Sequence, residues 1–102
     1  MAKKKVKQIV SSPGASGDFL AIMEYLSENA PNALDIVGNA IIDRIESLES
    51  EYNHYPPDRL RKNNDSIYKA TLVYSYQISY QNTSNVNILR IRHTSREPLN
   101  YY

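Results

Sequence analysis

The densest run of chemistry-bearing side chains closes the chain: Ile88-Leu89-Arg90-Ile91-Arg92-His93-Thr94-Ser95-Arg96-Glu97-Pro98-Leu99-Asn100-Tyr101-Tyr102. Cations and aromatic rings interleaved at a strand end suit recognition of an anionic partner. Guanidinium groups bind phosphate through paired N–H donors, and rings stack on unpaired bases. Arg59, Arg61 and Lys62, beside Pro56-Pro57, are candidates to extend the same anion-binding face. The competing reading of these residues is structural: Arg96 pairs with Glu97 or a helix carboxylate, and His93 buttresses a sheet. His54 and His93 are the only histidines and cysteine is absent, a poor donor set for a metal centre. The three glycines, Gly14, Gly17 and Gly38, make no phosphate-cradling loop, and no serine sits in a nucleophile elbow. The expectation is a chain without cofactor or metal.

Charge along the chain is uneven. Residues 1–17 carry four lysines and no acid; residues 18–51 carry eight acids and one base, Arg44; residues 52–102 carry seven bases and three acids. The formal net charge of +1 hides that asymmetry. Either a basic face meets an anionic partner, or acidic helices and basic strands neutralise one another inside the fold. At 102 residues one domain, 1–102, is expected, with a small core. No apolar run approaches the roughly 20 residues that cross a bilayer. Lys3, Lys4, Lys5 and Lys7 lead into Gln8-Ile9-Val10-Ser11-Ser12-Pro13 with no apolar stretch of a signal peptide. A cytoplasmic protein is therefore expected, with no membrane partner, and the lack of cysteine suits a reducing compartment.

The elements that position these residues follow from periodicity. Lys4 to Val10 reads as a short first strand. Ser12-Pro13 is a helix start, and Ala15, Phe19, Ile22, Met23 and Leu26 form one helical stripe. Asn29-Ala30-Pro31 breaks that helix and opens another, striped by Leu34, Val37, Ile41, Ile45, Leu48 and Tyr52 and running to about Glu51. The short break predicts an antiparallel two-helix hairpin. Residues 53–66 read as a long loop. Ile67–Tyr74, Tyr76–Gln81 and Val86–Arg92 read as strands, the last two joined by a turn at Asn82-Thr83-Ser84-Asn85. Tyr74, Tyr76 and Tyr80 share one parity and predict a half-buried sheet face. The result is an α+β domain: an N-terminal strand, a two-helix hairpin, then a three-stranded antiparallel sheet covered on one face. Lys69, Thr71 and some of Arg90, Arg92 and Gln77 are expected on the solvated face.

In this order the pattern resembles the RelE/ParE superfamily of bacterial type II toxins, over about Val6 to Tyr102. The resemblance rests on Phe19-Leu20-Ala21-Ile22-Met23-Glu24-Tyr25-Leu26, Ala30-Pro31-Asn32-Ala33, Tyr76-Gln77-Ile78-Ser79-Tyr80, and Ile88-Leu89-Arg90-Ile91-Arg92-His93 followed by Arg96-Glu97-Pro98. It implies a toxin that arrests growth, paired with an antitoxin whose disordered segment folds along it, and a role in plasmid stabilisation. RelE-like members are similar to ribosome-dependent messenger ribonucleases. Matched by position, their cationic set falls on Lys69 and Arg96, with Tyr101 or Tyr102 as the closing tyrosine; Thr71 and Gln77 stand where two further cations are expected. ParE-like members keep the fold and poison DNA gyrase. The loss of two cations, which a hydroxyl and an amide cannot replace at a developing phosphorane, and the His93…Arg96-Glu97-Pro98 tail imply the ParE-like branch. A ribosome-dependent ribonuclease, and a degenerate member that only binds its antitoxin, are the alternatives. The implied target contacts are Arg59, Arg61, Lys62, Arg90, Arg92, His93 and Arg96.

Overall fold

The computed structural model describes residues 5–57 and 67–95. β1 (Ile9–Ser11) leads into α1 (Pro13–Asn29), a single 3₁₀ turn (Pro31–Ala33) and α2 (Leu34–Glu51). Three strands follow, β2 (Tyr68–Val73), β3 (Tyr76–Asn82) and β4 (Val86–His93). The sheet order is β1-β4-β3-β2, with β1 parallel to β4 and the other neighbours antiparallel. The α+β architecture, hairpin and three-stranded antiparallel sheet expected from the sequence are all present.

Ser12 starts α1 in two ways. Its Oγ accepts the Ala15 N–H at 3.0 Å, and its hydroxyl donates to the Leu89 carbonyl at 2.9 Å. One side chain thus caps a helix and ties it to β4. At the far end the Ala30 N–H donates to the Leu26 carbonyl, and Pro31 turns the chain into α2. Between the helices, a Cβ placed on Gly38 would lie 3.0 Å from Met23 Sδ, so hydrogen at that position permits the close approach.

The core gathers Ala15, Ile22 and Leu26 from α1, Val37, Ile41 and Leu48 from α2, and seven sheet residues, Val73, Tyr76, Ile78, Tyr80, Val86, Ile88 and Ile91. Tyr80 is fully buried, and its hydroxyl donates to the Tyr52 carbonyl at 3.0 Å. Burial, with a smaller contribution from Tyr55, pushes its phenol well above the usual tyrosine range. The N-terminal arm is strapped to the opposite end of the sheet. Lys7 Nζ donates to Asn82 Oδ1 (2.8 Å) and the Thr83 carbonyl (2.6 Å) and lies 4.2 Å from the Tyr52 ring centroid.

Three sequence expectations are corrected here. β1 is only three residues, starting at Ile9 rather than Lys4, because pairing with β4 begins at the Ile9–Val86 register. Lys69 and Thr71 lie on the helix-covered face, not the solvated one. The Val73–Tyr76 pairing sets Lys69, Thr71 and Val73 opposite Tyr80, Ile78 and Tyr76, which are buried. Tyr74 is not a strand residue: it sits in the two-residue turn at φ 53° and is 67% exposed. A bulge accounts for a fourth difference. Tyr80 pairs with Ile88 and Ser79 with Arg90, leaving Leu89 as the extra residue, so Ile88 and Ile91 both reach the core despite their odd spacing.

Candidate functional site

β4 outruns β1. Beyond the Ser11–Ile88 register its outer edge would present unpaired backbone groups, and α1 takes the place of the missing strand. The Ser12 N–H donates to the Ile88 carbonyl at 2.9 Å, and the Ser12 hydroxyl to Leu89. Asp18 Oδ2 then accepts the Ile91 N–H at 2.9 Å. The same carboxylate grips Arg90 in a two-point fork, Nε to Oδ2 at 2.8 Å and the terminal nitrogen to Oδ1 at 2.9 Å. Burial pushes the Asp18 carboxyl up, but the bonds from Arg90 and Ile91 and the charges of Arg90 and Arg92 outweigh it and hold it below its ordinary value.

Next to this seam lies an open cavity of about 370 Å³. Asp18, Ile22 and Tyr25 of α1 line one side, and Ile91, Arg92 and His93 of β4 the other. The His93 ring meets Tyr76 edge-on, centroids 5.1 Å apart. Its Nδ1 accepts the Ser95 N–H at 3.2 Å and lies 2.9 Å from Ser95 Oγ. The Nδ1 lone pair is thus engaged by the Ser95 backbone N–H.

Of the residues singled out in the sequence, the fold brings Arg90, Arg92 and His93 together on β4. Arg90 is engaged by Asp18, whereas Arg92 and His93 border the cavity. Lys69 is apart from them: its ammonium donates to the Tyr55 carbonyl at 3.2 Å. Gln77 Nε2 reaches Ser79 Oγ at 3.4 Å, and Thr71 Oγ1 accepts from Arg44. Arg59, Arg61, Lys62, Arg96, Tyr101 and Tyr102 lie outside the described residues. Among the described residues no group of three or more His, Cys, Asp or Glu could hold a metal ion, and no helix is long and apolar enough to cross a membrane.

Sequence reasoning missed Asp18 and Arg44. Arg44 donates to Thr71 Oγ1 and to the Leu72 carbonyl (2.9 Å), with its guanidinium 5.4 Å from the Tyr55 ring centroid. Its signal was visible, as the lone base in a run of eight acids. Asp18 gave none, because one acid among eight has no distinguishing context.

A second cavity of about 470 Å³ runs between the helices, lined mainly by Ala15, Phe19, Leu20, Ile42 and Ile45, with Glu46 at its border. Leu20 and Ile42 are 69% and 41% exposed, so this groove is apolar and open.

Comparison with known proteins gives two findings. The sequence model of a family described as ParE toxin of type II toxin-antitoxin system, parDE, matches residues 9–98. Among solved structures, the chain is similar to one titled "Chromosomal ParDE TA system from P. aeruginosa", with a TM-score of 0.69 and 15% identity, covering 89% of this chain and 99% of the other. At that identity the likeness is one of fold. No curated protein matches in sequence.

Proposed function

This chain belongs to the ParE toxin family of type II toxin–antitoxin systems, and from that premise we propose that it arrests growth by binding its target without cutting RNA, with DNA gyrase as that target and an antitoxin protein as its partner. The observation that carries the non-catalytic half is the state of the three sheet positions on which ribonuclease chemistry would draw. Lys69 is a cation but donates to the Tyr55 carbonyl. Thr71 is a buried hydroxyl held by Arg44. Gln77 is a neutral amide beside Ser79. Stabilising a phosphorane takes positive charge aimed at an open site, and none of these three positions supplies it.

The interhelical groove supports the antitoxin half. A segment that orders on binding gains its free energy by burying apolar surface, and Phe19, Leu20, Ile42 and Ile45 offer that surface along one channel. Acidic residues of such a segment would meet the basic strands rather than this groove, which Glu46 borders.

The test is direct. Purified chain, gyrase, ATP and plasmid are incubated, and protein is removed by digestion under denaturing conditions. Linear plasmid in proportion to added chain is expected. Intact plasmid at saturating chain removes gyrase as the target. Primer extension on translated messenger run in parallel should give no new 5′ ends; new ends that vanish in Arg96→Ala would move the chain to the ribonuclease branch.

A further inference from the structure

The three antiparallel strands carry no acid: residues 67–95 include Lys69, Arg90, Arg92 and His93 but neither Asp nor Glu. The acids lie on the helices, and the two charge patterns meet at the seam cavity between α1 and β4. There Asp18 supplies the single negative charge of the lining among the described residues. It is already held by Arg90 and by the Ile91 N–H, and the charge of Arg92 reaches it as well. The balance of the site is therefore positive. Arg92 lines the cavity with its Nε buried, which sets the guanidinium in a wall shared with Ala21, Ile22, Tyr25 and Ile91. A guanidinium presents five N–H donors in a planar fork, more than one acceptor takes up. Beside apolar neighbours its bond to a carboxylate is stronger than in water. His93 lines the same cavity, its ring edge-on to Tyr76.

We propose that this cavity receives a carboxylate side chain of the antitoxin, carried between apolar residues of the segment that orders on the toxin. This deepens the toxin–antitoxin reading above and rests on it. Three observations select that occupant. The lining sets one guanidinium among apolar walls, which matches one acid with apolar flanks. Ile91 also lines the interhelical groove, so the two hollows flank α1 and a single segment crossing the helix fills both. A nucleic-acid strand fits less well, because it brings a phosphate at every step and α1 exposes Glu24 and Glu28 around Tyr25.

Amide spectra of the ¹⁵N-labelled chain are titrated with acetyl-Leu-Glu-Leu-amide, with its Gln counterpart, and with a short oligothymidylate. The Glu peptide should shift the amides of Ala21, Tyr25, Ile91, Arg92 and His93, with half-saturation on the order of a millimolar. The Gln peptide should bind about ten-fold more weakly. Arg92→Gln should abolish that preference, and Arg92→Lys should keep part of it. Raising salt to about 1 M should shrink the preference in the wild-type chain, an arm that decides the matter even where Arg92→Gln does not fold. Equal binding of the two peptides, shifts confined to other amides, or tighter binding of oligothymidylate at these five positions each overturns the proposal, the last making this a nucleic-acid site. None of these readouts draws on growth arrest. A chain that arrests growth without preferring the Glu peptide loses the carboxylate site and keeps the toxin reading; a chain that prefers the Glu peptide but arrests nothing loses the toxin reading, and with it the antitoxin as occupant.

Discussion

At the seam of α1 and β4, side chains of the helix meet the backbone groups that β1 leaves open: Ser12 takes Leu89, and Asp18 takes Ile91 and Arg90. At the β2–β3 tip the pattern reverses. Leu72 and Tyr74 stand exposed, and Tyr74 holds a backbone conformation that costs a bulky residue about 1–2 kcal/mol. Both regions lie on the same small sheet. The contrast is one of satisfaction: the seam's polar groups are paired within the chain, whereas the strain at Tyr74 is not offset by burial.

Substitutions at the seam should therefore lower stability, and those at the tip should not. The largest effect is expected for Asp18→Ala, which removes the acceptor of both Arg90 and Ile91. Denaturant titration should show a loss of about 2–3 kcal/mol, at the lower end because the Arg90 side chain is 38% exposed and water replaces part of what it loses. The effect is pH-dependent, with a fixed sign. The folded Asp18 carboxyl lies below its ordinary value of 3.8. Its contribution is complete above that value and is lost as pH falls through the folded one, so the gap between wild type and Asp18→Ala should close in acid below about pH 4. A gap that does not narrow at all on acidification would mean that the side chain acts through packing instead of charge.

Ser12→Ala should cost about 1–2 kcal/mol, since it deletes a helix cap and the bond to Leu89 together. Ser12→Asp keeps an acceptor for Ala15 but offers no donor to Leu89, so a partial rescue apportions the two roles. Arg44→Met should cost about 1 kcal/mol, read by denaturant titration, by releasing Thr71 and the Leu72 carbonyl on the β2 edge. The smallest effect is expected at the tip: because Leu72 is largely exposed, Leu72→Gln should leave stability within about 0.5 kcal/mol by thermal melting. A large destabilisation there would erase the contrast drawn above.

Much of the fold was legible in the sequence. Ser12-Pro13 and Ala30-Pro31 mark helix starts through local chemistry that acts whatever surrounds them. The stripes through Ile22 and Leu26 and through Val37, Ile41 and Leu48 reflect helical periodicity, and those residues are buried. The strand pattern was less complete, because simple alternation along Val86–Arg92 puts Leu89 and Ile91 on one face, and a bulge changes parity with no residue to announce it. For the same reason Lys69 and Thr71 were assigned to the wrong face: facing is set by which residues flank a turn, and Tyr74-Ser75 carries none of the glycine that usually marks one. Of the candidate site, Arg90, Arg92 and His93 were found as a cluster, but their division of labour was not.

The sequence by itself determined the order and type of elements, the family and the uneven distribution of charge, because each depends on neighbours within a few residues along the chain. Only the tertiary structure decided that Asp18 would engage Arg90 across 72 positions, that Lys69 would face the helices, and that Tyr74 would be strained and exposed. Those outcomes depend on strand register and on where β1 stops, and both are settled by packing the whole sheet against the helices rather than by any local preference.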